Sequence, residues 1–533
     1  MNNPLIYTSM EFGIRDDIHT YSGGLGVLAG DTMKSASDLG YDIIGIGMLP
    51  DLGYFDQRIV DGRQVEDFVP WDYREKLAEG PSVKVRLRGN DVTVSSWRYD
   101  VKGQERRGRV GIVPVYFLST NDERNSPEVR AITAKLYNGD RLGQEVVLGI
   151  GSMRLVEALG YDPATVHVHM NEGHSAFSVL EKLRRTGKIE LVRETSTFTT
   201  HSLIAGHDVF DYDTARHALD GMLPANIQEL AGNDQLNMTT LARSGSRRMN
   251  AVSKRHREEA KLYYGDGVLS VTNGVHPYTW TSPEFQTLYD AELPGWRLDP
   301  SALSGAHRID MSKVATAHRA AKQRMIDYVQ DKTSVKFDVD VPVITWARRS
   351  VPYKRQTLLF MDMERLKGIL KGRWQVIYAG KAHPHDDEAK EMITTSIKRL
   401  AELRVAEIPA VYLENYGMEM CSVLTSGSDV WLNTPRIPFE ASGTSGMCAD
   451  LNGVPHMSTL DGWWPEGYEE GVTGWAIGGS ESDDARDADS LYYRLSTISG
   501  PDILDIGRGA TKNGGVFNTE RMDKEYAERV WNS

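Results

Sequence analysis

Cysteine is scarce in this 533-residue chain: Cys421 and Cys448 are the only two, which excludes a disulfide framework and any zinc site built on thiolate pairs. The scarcity suits a reducing compartment, so a cytoplasmic protein is expected. No apolar run reaches the roughly 20 residues that a membrane-spanning helix requires. The opening Met1-Asn2-Asn3-Pro4 also lacks the basic and apolar segments of an export signal. Basic clusters are missing too. With 61 Lys and Arg against 74 Asp and Glu, the net charge of −13 offers no footprint for a phosphate backbone. Neither nucleic acid nor membrane is therefore expected as a partner. No repeat of solenoid length is visible, and the Gly-, Ser- and Asp-rich stretch 478–489 reads as a surface loop.

What is present has a globular balance, 40% hydrophobic and 25% charged residues, in a chain long enough for more than one core. Short apolar runs alternate with longer segments of helical period, the pattern of parallel sheets covered by helices, so the class is α/β. Strands are expected at 43–47, 110–118, 165–170 and 195–200 in one sheet, and at 341–346, 374–379, 410–413 and 429–433 in a second. The Pro- and Trp-rich stretch 273–300 leads into an expected helix over 313–330, rich in good helix formers.

Five segments carry the chemistry. Tyr21-Ser22-Gly23-Gly24-Leu25-Gly26-Val27-Leu28-Ala29-Gly30-Asp31 is a glycine-rich turn leading into a helix, either a tight connection or a set of backbone donors for an anion or sugar. His167-Val168-His169-Met170-Asn171-Glu172-Gly173-His174 looks like a metal site, but it lacks the spacing that puts two imidazoles on one helical face. It reads better as a strand end opening into a cleft, and no metal is expected. Thr199-Thr200-His201 follows another strand, where a neutral imidazole either bonds a substrate hydroxyl or rests satisfied in the core. Arg348-Arg349-Ser350-Val351-Pro352-Tyr353-Lys354-Arg355 puts four cations at the carboxyl end of a strand, where α/β proteins bind ligands, and points to phosphate. Glu440-Ala441-Ser442-Gly443-Thr444-Ser445-Gly446 opens a helix, either as a second phosphate and sugar-hydroxyl site or as a capping turn.

Together with Glu11-Phe12-Gly13, Asn125-Ser126-Pro127, Glu414-Asn415-Tyr416 and the stretches 171–177, 199–208, 273–280, 380–384, 426–435 and 460–468, these segments resemble the α-glucan (glycogen or starch) phosphorylase family, especially its shorter prokaryotic branch. The resemblance implies a GT-B fold. Two Rossmann-like domains, 1–280 and 281–515, would face each other across a cleft, with 516–533 returning to the first. It further implies that Gly24 and Leu25 donate to the donor phosphate, that His201 and Asn273 contact the sugar, and that Arg349 and Lys354 bind phosphate. Glu440, Ser442 and Gly443 would contact the sugar's O3 and O4 edge. Arg348 and the backbone of Thr444, Ser445 and Gly446 fall where the family holds its cofactor phosphate. His201, Arg349, Lys354 and Glu440 form the expected catalytic set.

One position departs from the family pattern. Where the family has the lysine that binds pyridoxal 5′-phosphate as an imine, this chain has Cys448, and a thiol cannot form that bond. The leading expectation is therefore a retaining glycosyltransferase without covalent cofactor, with pyridoxal phosphate unlikely to bind, and a nucleotide sugar as donor of the glucosyl unit. The alternatives are an α-glucan phosphorylase with non-covalent or degenerate cofactor use, and an inactive carbohydrate-binding homologue. Expected partners are a nucleotide sugar or sugar phosphate donor and a carbohydrate or glycosylatable small-molecule acceptor, with a homo-oligomer left open.

Overall fold

The structure, a computed structural model, describes residues 3–106, 108–202 and 208–532. Residues 203–207, within the 199–208 motif, lie outside these. Two separate sheets dominate. In the first, Leu5–Ser9 sits between the parallel neighbours Ile43–Met48 and His167–Asn171. Ser196–Thr199, Arg248–Ala251 and Val268–Ser270 extend it in parallel on one side. On the other, Arg109–Ser119 joins in parallel and is followed by the antiparallel Asn90–Arg106. The second sheet has six parallel strands, in spatial order Ala410–Leu413, Gln375–Ala379, Val343–Ala347, Val430–Asn433, His456–Ser458 and Gly474–Ala476.

The α/β class read from the sequence is the class observed. Every residue of Ile43–Met48, Val343–Ala347 and Gln375–Ala379 is buried, because helices cover both faces of a parallel sheet and demand apolar side chains on each. The long helix Met311–Lys332 lies between the two sheets in sequence and begins with Asp310 accepting the Ser312 N–H. No helix among the described residues is long and apolar enough to cross a membrane.

Two further contacts matter for the site. The hairpin Asp56–Val60 and Arg63–Asp67 extends from the first sheet's side to the second. There Gln57 Nε2 donates to the Gly380 carbonyl at 2.7 Å and Gln64 Oε1 accepts from the Ala382 N–H at 2.9 Å. The late helix Thr519–Tyr526 packs on the first sheet's helix Gly24–Leu39, with Ser35 and Thr519 hydroxyls 2.6 Å apart, and Tyr526 and Trp531 enter the same core as Tyr7, Leu28 and Met33.

Glycine spacing explains how closely that first helix sits on the sheet. A Cβ on Gly30 would lie 2.0 Å from the Gly13 carbonyl oxygen, and one on Gly26 would meet the Glu11 carboxylate at 2.6 Å. Gly24, by contrast, has nothing within 4 Å of its would-be Cβ. Gly30→Ala is expected to destabilise the fold by about 3 kcal/mol, at the upper end of the usual cost of overpacking a filled site, while Gly24→Ala leaves the urea midpoint nearly unchanged. Equal midpoints for the two variants would refute the close-approach account.

Candidate active site

The carboxyl ends of strands from both sheets line one cavity of about 720 Å³, within the roughly 300–1,000 Å³ typical of ligand pockets. The first sheet's side contributes Gly24, Leu25, His201 and Asn273, and the second contributes Arg348, Arg349, Lys354 and Glu440. Ser442, Gly443, Thr444, Ser445 and Cys448 line it as well. Gly446 does not. It packs against the buried His456 ring, where a Cβ would come within 2.7 Å of an imidazole carbon.

The helix Gly24–Leu39 has no side-chain cap. Its entry is held instead by the buried Glu11 carboxylate, which accepts from the Ser22 N–H at 2.5 Å, the Gly23 N–H at 3.1 Å and the Tyr137 hydroxyl at 2.9 Å. These bonds leave the N–H groups just beyond, at Gly24 and Leu25, at the cavity wall and near the positive end of the helix dipole. Burial raises the Glu11 pKa against the opposing pull of those donors.

Around His201 the geometry selects a tautomer. Its Nε2 lies 2.6 Å from Asn171 Oδ1, an acceptor, so Nε2 carries the proton and Nδ1 is left to accept from a ligand hydroxyl. Burial, then the nearby His256 and His174, push the imidazole's pKa down to about 3, so it is neutral. The adjoining Glu172 accepts from the His201 N–H at 2.7 Å and the Gly173 N–H at 3.1 Å while holding φ at 72°. A non-glycine residue in that region is strained and persists only where its surroundings fix it. The rest of the His167–His174 run divides by position. His169 is a core residue between the Thr197 and Thr199 hydroxyls at 3.0 and 3.1 Å, whereas Glu172 and His174 reach the cavity.

The cations differ in how they are compensated. Lys354 Nζ pairs with Glu440 Oε2 at 2.8 Å, both largely buried. Arg348 is buried and donates through Nη2 to the Leu432 carbonyl at 3.0 Å, while its Nε has no partner. Burial lowers its pKa, with Glu440 opposing. Arg349 is exposed to the cavity. Among the other buried polar atoms without partners, Asn273 Oδ1, Ser442 Oγ and His174 Nδ1 belong to residues that line the cavity. Buried polar groups are nearly always satisfied, so orphans on a cavity wall mark the places of ligand groups. Cations and unpartnered hydroxyl-seeking atoms in one space suit a molecule that is part phosphate and part sugar.

Tyr137, Lys381, His383 and His385, which are not among the site residues expected from the sequence, also line the cavity. A signal existed for the last two. His383-Pro384-His385 closely follows the strand Gln375–Ala379, a strand end of the kind that made the 348–355 run noteworthy. Nothing comparable marked Tyr137, whose place depends on its bond to Glu11 across the fold.

The sequence profile for carbohydrate phosphorylases matches residues 211–473. The maltodextrin phosphorylase of Thermococcus litoralis is 36% identical, over 99% of this chain and 70% of its own. The glycogen phosphorylase of Aquifex aeolicus is 33% identical, over 92% of this chain and 79% of its own. A third relative, MJ1631 of Methanocaldococcus jannaschii, whose name carries no activity, is 31% identical over 99% of both chains.

These relatives overturn two expectations drawn from the sequence. Proteins named phosphorylases exchange a glycosyl unit with phosphate, so the nucleotide-sugar donor is wrong, and the cofactor-independent scheme that made pyridoxal phosphate unlikely falls with it. The physical reason is that both rested on a single side chain. Cys448 is one residue of the cavity wall, which also carries Arg348, Arg349, Lys354 and Glu440. The unpartnered Arg348 Nε fits a phosphate group, and Trp280 and Tyr416 supply planar walls beside Cys448. What does not fit is a covalent anchor at position 448. Burial holds the thiol pKa well above its ordinary value, so it stays protonated and unreactive.

Glu172 gives the site a measurable pH signature. Burial raises its carboxyl from the ordinary 4.5 to about 7, so the folded chain keeps a proton that the unfolded chain loses first. Its contribution to stability is greatest below pH 4.5 and declines as pH rises through about 7. The decline is on the order of 3 kcal/mol. Urea midpoints measured from pH 5 to 8 should fall less steeply for Glu172→Gln than for the parent, and parallel profiles would show that the group titrates normally.

Proposed function

Because this chain belongs to the carbohydrate phosphorylase family, we propose that it transfers an α-glucosyl unit between an α-glucan and inorganic phosphate, with α-glucose 1-phosphate as product or donor. The observation that carries this reading is the combination in one cavity of Arg348, Arg349 and Lys354 with the orphaned Asn273 Oδ1 and Ser442 Oγ. We read the two sheets as the facing Rossmann-like halves of a GT-B fold, 1–280 and 281–515, with 516–533 returning to the first. Support comes from the strand ends that both sheets present to the cavity and from the packing of Thr519–Tyr526 on Gly24–Leu39.

The roles follow from the groups. Neutral His201 accepts a sugar hydroxyl at Nδ1, Asn273 Oδ1 accepts another, and Ser442 and Glu440 meet the opposite edge of the ring. Arg349, Lys354 and the N–H groups of Gly24 and Leu25 hold the substrate phosphate. As the C1–O bond of the glucan breaks, a proton passes from phosphate to the departing oxygen, and a phosphate oxygen bonds to C1 on the face just vacated, which retains configuration. Fixed cations and backbone dipoles stabilise the charge that develops on phosphate, without reorganisation during the step. Arg348 with Thr444 and Ser445 would hold the phosphate of pyridoxal 5′-phosphate, and Trp280 and Tyr416 its ring, by non-covalent contact alone, while Gly446, which does not line the cavity, drops out of the expected set. When bound, that group supplies a second phosphate able to exchange protons with the first.

Release of glucose 1-phosphate from maltodextrin and inorganic phosphate, with pyridoxal phosphate supplied, is the expected activity, and its absence with folded protein would overturn the reading. Arg349→Ala is expected to lower kcat/KM by about 100-fold, the scale of losing one preorganised charge partner, with an unchanged melting temperature. An active Arg349→Ala enzyme would remove the proposed phosphate site. Cys448→Lys provides a separate check on the cofactor pocket. Pyridoxal phosphate should dialyse away from the parent protein and be retained by the variant, and loss from both would show that the pocket does not place the ring beside position 448.

A further inference from the structure

The turn at 460–463 belongs to a motif that the site roles above leave unused. Glu440, the partner of Lys354, is followed by two residues whose backbone is gripped from both sheets. On the second sheet's side, Asp461 Oδ2 accepts the Glu440 N–H at 2.8 Å, and the Trp463 N–H donates to the Ser442 carbonyl at 3.0 Å. Between them Gly462 holds φ at 60° and lies so close that a Cβ there would come within 2.3 Å of the Ser442 carbonyl oxygen and 3.0 Å of Glu440 Cγ. The segment therefore rests directly on this turn.

From the first sheet's side, Ser253, just beyond the strand Arg248–Ala251, donates from Oγ to the Ala441 carbonyl at 2.7 Å. The same contact continues outward. Glu466 accepts from the Lys254 N–H at 2.8 Å and from the Thr272 hydroxyl at 2.9 Å, so the residues on either side of the grip are themselves bonded across the sheets. Asp461 is 1% exposed and holds no cation of its own. Its second oxygen has no partner, and neither does Nε of Arg255, whose charge faces it from the first sheet's side.

We propose that Asp461 and Ser253 are positioning residues for Glu440: they clamp the Glu440–Ser442 backbone from the two sheets, so that the Glu440 carboxylate and Lys354 are aimed at the sugar only while the sheets are engaged. This rests on the phosphorolytic reading for its catalytic consequence, but the clamp itself is a property of the backbone. A side chain that only filled space would be replaced equally well by any residue of similar size. A hydrogen-bond acceptor for one N–H requires an oxygen at that place, which Asn supplies and Ala does not.

Two measurements test it on the full chain. The first is amide hydrogen exchange of the backbone at 440–442 without substrate, in Asp461→Ala, Asp461→Asn and Ser253→Ala. Exchange is expected to rise about tenfold in Asp461→Ala, the factor for losing roughly 1.4 kcal/mol of hydrogen bonding, and to stay near the parent rate in Asp461→Asn. Ser253→Ala should raise exchange in the same segment although it lies in the other sheet's half, and it serves alone if Asp461→Ala does not fold. The second is phosphorolysis, where kcat should fall about tenfold in Asp461→Ala and recover in Asp461→Asn, with the KM for phosphate little changed. Parent exchange rates in both Asp461→Ala and Ser253→Ala would overturn the clamp. A parent protein that forms no glucose 1-phosphate overturns the phosphorolytic reading instead and leaves the exchange result to decide the clamp.

Discussion

Arg348 is a buried guanidinium with no carboxylate within ion-pairing reach among the described residues, and its cost determines much of what surrounds it. Removing a cation from water without a counter-charge is expensive, and here the deficit is met only in part by the Leu432 carbonyl and by the face of Trp346, 5.6 Å away. Arg349 adds a second positive charge, and of the carboxylates that line the cavity Glu440 is committed to Lys354 and Asp208 to Arg141. The cavity therefore holds more positive charge than it can neutralise by itself. A dianion entering such a space gains interaction with groups already fixed in place, which is the condition under which electrostatics favours the reacting state over water.

How that cavity forms was partly legible from sequence. The strand 410–413 coincides with Ala410–Leu413, and 374–379 differs from Gln375–Ala379 by one residue, because a strand buried on both faces must be apolar throughout and is bounded by polar or glycine residues. The cationic run 348–355 was recognisable because it sits where the strand Val343–Ala347 stops, and the glycine turn because it leads into the helix Gly24–Leu39. Shorter elements were not. His456–Ser458 and Gly474–Ala476 have three residues each, too few to show a period, and Asn90–Arg106 mixes polar and apolar positions because it lies toward the sheet's antiparallel edge. Residues whose role comes from a partner far away in sequence, such as Tyr137 on Glu11, leave no local trace.

Cys448 illustrates a different limit. The residue there is a thiol, which indicates only that an imine cannot form at that position. It does not indicate what the remaining walls accept. Arg348, Trp280 and Tyr416 line the same cavity as Cys448, so what it accepts is a property of the whole wall.

The packing of Tyr526 and Trp531 into the core of the first sheet has a consequence for the order in which the protein can be made. His169, on the strand His167–Asn171 of that sheet, has Tyr526 and Trp531 against its ring, 5.4 and 5.9 Å between centroids. Both aromatic residues leave the ribosome after all six strands of the second sheet. The first sheet is therefore translated first but sealed last. During synthesis the second sheet can complete its own core, while the first must wait with part of an apolar face uncovered.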